Sequence, residues 1–121
     1  MADKVAERLL RKMKRVVSGG AAYDDIEIGP VPAGEEWHLL WMSSVDETNT
    51  ITKRGQAVKS GGLLYWIDED AVTTADFHHG DKLELILGAG ESLVTRLTGC
   101  TSLDVLKVFV VGHYHELGEN L

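Results

Sequence analysis

Residues 82–98, KLELILGAGESLVTRLT, decide the fold class of this chain. Leu83, Leu85 and Leu87 alternate with polar or outward-facing residues before a Gly-Ala-Gly turn, and the alternation resumes after it. Successive side chains of a β-strand point to opposite faces, so the stretch predicts two half-buried strands joined by a turn.

The same period of two recurs through most of the chain. Further strands are predicted at 22–28, 36–45, 63–67 and 103–114, with short edge strands at 51–53 and 57–59. Glycine-rich turns separate these segments, and no helical pattern occurs after residue 20. About eight short strands of this kind predict a mainly β fold, an antiparallel β-sandwich or jelly roll.

The N-terminal segment departs from this period. Leu9 and Met13 are four residues apart, and Val16 follows three residues later, which is helical spacing. Asp3 is suited to the N-cap, and Gly19-Gly20 would end the helix and form a hinge. We therefore expect one amphipathic helix in front of the sandwich.

Charge divides the chain in the same place. Half of the twelve Lys and Arg residues lie in residues 1–15, which carry a net charge of +4, whereas the whole chain carries −7. We expect two units, a basic helix with its hinge at 1–20 and a β-sandwich domain at 21–121. A helix this short is marginal alone in water, so it would dock on its own domain or on a neighbouring subunit.

The residues expected to make that contact are Lys4, Arg8, Leu9, Arg11, Lys12, Met13, Lys14 and Arg15. Nucleic acid is an unlikely partner, because binding to phosphates needs clustered cations and the body is acidic. No stretch approaches eighteen apolar residues, so we expect no membrane-spanning helix.

One C-terminal pattern suggests metal chemistry. His113 and His115 share a face of the last strand, and Glu116 and Glu119 follow them. The spacing His-x-His-x-x-x-Glu resembles the first metal motif of the cupins, which are small jelly rolls. Cupins have a second motif later in the chain, whereas here the other histidine pair, His78-His79, comes before the first. A metal-binding protein or enzyme of this kind is the alternative to a strand end with solvated histidines.

Other candidate sites have simpler structural explanations. Asp68-Glu69-Asp70 with Asp76 could bind Ca²⁺, but a solvated acidic loop is the simpler interpretation. Trp37 and Trp41 would share a strand face and could stack on a sugar, although core packing is favoured. Cys100 has no histidine beside it in the sequence. We expect no catalytic residue, no cofactor and no metal, and hence no enzyme.

The turn sequences carry a family resemblance. The run VPAGEEWHL at 31–39, the later LGAGESL at 87–93 and the closing hydrophobic strand resemble small β-sandwich structural proteins of tailed bacteriophage virions. The resemblance implies a non-enzymatic capsid decoration, neck, collar or tail component located in the virion. Its partners would be copies of itself and other virion proteins, such as capsid, portal or tail proteins, in a multivalent assembly.

Overall fold

A computed structural model describes residues 7–71 and 79–117. Their regular structure consists of eight β-strands and no helix. The strands are β1 (Glu7–Val17), β2 (Tyr23–Ile28), β3 (Glu35–Asp46), β4 (Lys53–Ser60), β5 (Leu63–Ala71), β6 (His79–Leu87), β7 (Ser92–Thr98) and β8 (Val105–Glu116).

The strands form two antiparallel sheets of four. The first sheet has the order β1-β8-β3-β6, and the second sheet has the order β2-β7-β4-β5. The pairs β1·β8, β2·β7, β3·β6 and β4·β5 are therefore nested inside one another along the chain, the order of a jelly roll. The predicted mainly β fold with two antiparallel sheets is confirmed.

The predicted N-terminal helix is wrong. The segment is strand β1, which pairs with β8 in continuous register from Glu7 opposite His115 to Val17 opposite Val105. The register leaves no room for a helix, because eleven consecutive residues are extended along β8. Backbone groups on that side of β8 must find partners, and this requirement outweighs the helical propensity of Lys, Arg, Leu and Met.

The apolar residues of β1 divide between its two faces. Leu10 points inward and is only 4% exposed, whereas Leu9 and Met13 point outward and are exposed. The chain is also fixed just before the Gly19-Gly20 joint, because the Ser18 N–H donates to the Asp104 carbonyl and the Leu103 N–H donates to the Ser18 carbonyl. The segment is thus an edge strand of the first sheet.

The core lies between the two sheets. Its fully buried members include Ile26, Leu39, Met42, Leu87, Leu93, Leu97, Leu106, Val108 and Val110. Burying each such aliphatic side chain contributes about 1.5–3 kcal/mol, so the sheets are held together mainly by the hydrophobic effect.

A β-bulge in β3 separates two tryptophans that the sequence places on one face. The register with both neighbouring strands shifts between Leu39 and Trp41. Trp37 is therefore 3% exposed in the core, while Trp41 is 44% exposed on the outside. The favoured core packing of the two tryptophans therefore holds for Trp37 alone, and Tyr65 and Trp66 of β5 are also exposed.

The two similar corner sequences meet in space. The Val31 N–H donates to the Glu91 carbonyl at 2.9 Å, and the Gly90 N–H donates to the Val31 carbonyl at 2.9 Å. Gly29 opens the first corner at φ +128°, and a Cβ there would lie 2.6 Å from the Ser92 hydroxyl. The first corner therefore requires glycine at position 29. The two hydrogen bonds connect the β2–β3 loop to the β6–β7 loop.

Candidate functional site

The predicted interaction residues lie in two rows along β1, except Lys4, which is outside the described residues. Alternation along the strand separates them. The inward row contains Arg8, Lys12 and Lys14, and the outward row contains Leu9, Arg11, Met13 and Arg15. The structure thus brings these residues to one sheet edge. They lie on two opposite faces of a strand and not around a helix.

The inward cations reach around the side of the sandwich. Arg8 Nε lies 3.4 Å from a carboxylate oxygen of Glu116. Lys12 Nζ lies 5.6 Å from the ring centre of Trp37, and Lys14 Nζ donates to the backbone carbonyl of Glu27 at 3.1 Å. Lys12 and Lys14 line a cleft with Ile28 and Trp37 on this side of the sandwich, and all three cations are exposed.

The outward row borders an apolar surface on the first sheet. Met13 is opposite Phe109 of β8 and is 66% exposed. Met13 and Phe109 line a shallow depression with Ser43 and Lys107. Trp41 of β3 and Ile86 of β6 are further exposed apolar side chains of the first sheet. Larger exposed apolar areas are typical of protein–protein contacts.

The edge strand β5 has the opposite charge. Asp68, Glu69 and Asp70 belong to the strand and not to a loop. Glu69 pairs with Lys53 at 3.5 Å, and Asp70 lies 3.6 Å from the buried Arg54. The calcium site suggested by this run loses support, because two of its carboxylates face cations and Asp76 is outside the described residues.

Two aromatic rings enclose an arginine on the outer face of the second sheet. The Arg96 guanidinium lies 3.7 Å from the ring centre of Tyr23 and 4.7 Å from that of Trp66. Asp25 accepts two hydrogen bonds from it, at 2.7 and 2.9 Å, and raises the pKa of Arg96. One face of each ring is thus covered by the guanidinium.

A histidine–glutamate cluster lies on the outer face of the first sheet. Glu36 and His38 are two residues apart on β3, and His115 of β8 is directly opposite Glu36. A carboxylate oxygen of Glu36 is 2.8 Å from His38 Nε2. The His38 and His115 rings stack with their centres 4.4 Å apart. One donor atom from each residue lies within 4.8 Å of the others, so the three could hold a metal ion.

This cluster shares His115 with the metal motif predicted from the sequence. His113 is opposite His38 on the same face but is outside the cluster. Glu116 lies on the other face and pairs with Arg8, and Glu119 is outside the described residues. Sequence reasoning missed Glu36 and His38, although their Glu-x-His spacing on a predicted strand already placed them on one face.

Two buried acids, Asp46 and Asp104, lie beside Cys100 at the opposite end of β3. Burial, with Asp104 nearby, raises the pKa of Asp46. Asp104 is also desolvated, but hydrogen bonds from Asp46, Thr101 and Asn49 outweigh this and lower its pKa. Burial raises the pKa of the neighbouring Cys100 thiol to about 12, which makes it a poor nucleophile near neutral pH.

Comparisons with known proteins identify no family. No family model matches the chain, and no curated protein matches it. Among solved structures, it is similar to an exo-β-1,3-galactanase from Phanerochaete chrysosporium in complex with galactose. That match has 14% identity and a TM-score of 0.39, and it covers 91% of this chain but 30% of the galactanase.

The part of the chain that the structure describes contains no helix long and apolar enough to cross a membrane.

Proposed function

We propose that this chain is a non-enzymatic structural protein that assembles head to tail with copies of itself, as a component of a tailed bacteriophage virion. The observation that carries the assembly proposal is the charge complementarity of two edge strands. β1 has five cationic residues against one acid, and β5 has three acids and no cation.

The two edges lie on opposite sides of the sandwich. β1 ends the first sheet and contacts β2, which ends the second sheet on the same side. β5 ends the second sheet at its other side, as β6 ends the first sheet. A basic edge on one side and an acidic edge on the other allow each copy to bind the next in the same orientation. Repeated contacts of this type build rings or filaments.

Both edges also have the backbone groups and apolar side chains that a contact needs. An edge strand leaves a row of N–H and C=O groups unpaired within its own sheet. Leu9 and Met13 are exposed along β1, and Leu63, Tyr65 and Ile67 are exposed along β5. Strand pairing between copies would supply hydrogen bonds, while the charges would set the partner and its direction.

The virion setting rests on the corner sequences. The runs at 31–39 and 87–93, with the closing strand, are the segments that resemble phage structural proteins, and the turns of the two runs are hydrogen-bonded to one another. Capsid decorations and neck or tail rings attach through many copies. Contacts that are weak singly become tight when repeated, because each further contact forms at high effective concentration. Capsid, portal or tail proteins would be the other partners.

Sedimentation velocity tests the assembly. The full chain should form oligomers at low salt that dissociate as salt rises, because exposed charges are screened over about 8 Å at physiological ionic strength. Arg11→Glu with Arg15→Glu should abolish assembly, and Glu69→Arg in a second chain should restore it in the mixture. Lys82→Glu, an exposed reversal on β6, is the matched control and should assemble normally.

Two outcomes would contradict the proposal. A chain that stays monomeric at every salt and protein concentration has no homotypic contact. An oligomer that tolerates reversal of β1 but not of Lys82 uses a different surface. Sedimentation with purified phage capsids or tails, scored by co-pelleting of the wild type against the β1 variant, separately tests the virion setting.

A further inference from the structure

We infer that the cluster of Glu36, His38 and His115 is a binding site for one divalent transition-metal ion, with zinc as the reference ion. The inference is independent of the assembly proposal, because it rests on donor chemistry on the interior strands β3 and β8 of the first sheet and not on the edge strands. It also uses a different ligand set from the His113–Glu119 motif of the sequence.

The donor types select the metal class. Two imidazole nitrogens and one carboxylate oxygen suit zinc, cobalt, nickel or copper, whereas calcium and magnesium prefer oxygen ligands alone. Three protein ligands leave a fourth tetrahedral position for water or another group. Such a site is open to exchange, in contrast to the closed four-ligand sites that hold structural zinc.

The backbone places the donors close together before any metal binds. β3 and β8 are both interior strands of the first sheet, so each is hydrogen-bonded on two sides. Glu36 and His115 are directly opposite in register, which puts their Cβ atoms about 4.5–5.5 Å apart. His38 is on the same face, two residues along β3. Only side-chain rotation is left to complete the site.

The required movement is small. Zinc binds nitrogen and oxygen at about 2.0–2.2 Å, so tetrahedral ligand atoms are about 3.3 Å apart. The three donor atoms already lie within 4.8 Å of one another, and Glu36 and His38 are at 2.8 Å. All three side chains are half-buried, which leaves them room to rotate and leaves the site open to solvent.

Zinc titration of tag-free, chelator-treated full chain tests the site. Calorimetry should show saturable binding of one zinc per chain, weakening as the solution is acidified because protons compete for the imidazoles. His38→Ala and His115→Ala should each weaken binding by about 100-fold or more, since loss of an outer-shell partner alone costs about 10–100-fold. Glu36→Gln keeps the shape and should also weaken it.

His113→Ala is the matched control. It removes a histidine from the same face, opposite His38, and should bind zinc as the wild type does. Cobalt absorption gives a second readout, because a tetrahedral Co²⁺ spectrum in the wild type should disappear in His115→Ala. Equal loss in His113→Ala and His115→Ala would overturn the ligand assignment. Absence of stoichiometric binding up to millimolar zinc would overturn the site itself.

Discussion

Strands β1 and β5 occupy equivalent positions, each at the edge of a four-stranded sheet, yet they are attached in different ways. β1 is basic and contributes Leu10 to the core, and its lysines lie across the side of the sandwich. β5 is acidic and has no buried residue along its whole length. The difference shows that an edge strand can be held by a side chain buried in the core, as β1 is, or by contacts outside the core, as β5 is.

The largest expected effect is from removing β1. Deletion of residues 1–17 should abolish cooperative folding, because β8 would lose all of its pairs with β1 and the core would lose Leu10. Circular dichroism during thermal unfolding measures this. Deletion of residues 2–6, which retains the whole of β1, is the control and should fold. A shortened chain that unfolds at the wild-type temperature would show that β1 is dispensable.

The sequence predicted which residues form strands better than it predicted which strands lie at the sheet edges. Residues 23–28, 35–46 and 92–98 are strands close to where alternation placed them, because alternation reports a buried face directly. The spacing of Leu9 and Met13 predicts a helix where β1 lies, and nothing local reveals that β8 needs a partner. The predicted edge strands 51–53 and 57–59 overlap β4, which is an interior strand, whereas the strand predicted at 63–67 is the edge strand β5.

The candidate site was half visible in the sequence. His115 was singled out, but its partners Glu36 and His38 are some eighty residues away along the chain. Only the β3·β8 register brings them together. Pairing between distant strands is what a single sequence does not specify, and the bulge after Leu39 further altered which side chains share a face.

The next prediction compares the stability cost of truncating a leucine on β1 and a leucine on β5. Leu10→Ala on β1 should cost about 2–5 kcal/mol of unfolding free energy, the usual range for a buried leucine. Leu63→Ala on β5 should cost within about 0.5 kcal/mol, since the side chain is 60% exposed. Urea unfolding measures both values. Equal costs would remove the distinction between an integral and an external edge strand.

Trp66 tests how β5 is held from outside. Its ring packs over Gly55, where a Cβ would lie 3.1 Å from it, and on the Arg96 guanidinium. Trp66→Ala should cost about 1–2 kcal/mol in urea unfolding, through lost packing and a lost cation–π contact. Tyr65→Ala, next to it on the same strand and more exposed, should cost less. The reverse order would mean that β5 is held through its other face.

The smallest expected effect is a pH dependence on the β1 side. The Ser92 hydroxyl, with Lys59 and Lys14, holds the pKa of Glu27 below its ordinary value of 4.5, although burial opposes this. A carboxyl with a lowered pKa stabilises the fold above pH 4.5, and the contribution is lost as the pH falls through the folded-state pKa.

Urea midpoints between pH 3 and pH 7 measure that contribution. Glu27→Gln should flatten the fall in stability at the acid end by well under 1 kcal/mol, because the side chain is a third exposed and solvent screens its partners. Ser92→Ala should flatten it in the same way. An unchanged acid slope in both variants would show that Glu27 does not support the β1–β2 side.

The nested strand pairs also constrain how the protein is made. The chain is one long hairpin that turns at Gly61-Gly62, and β1 finds its partner only when β8 has been synthesised. Until then β1 leaves the ribosome as an exposed strand segment that could pair with other nascent chains. Its five cations repel identical segments and oppose such pairing. We therefore expect the charge of β1 to oppose pairing between nascent chains during synthesis.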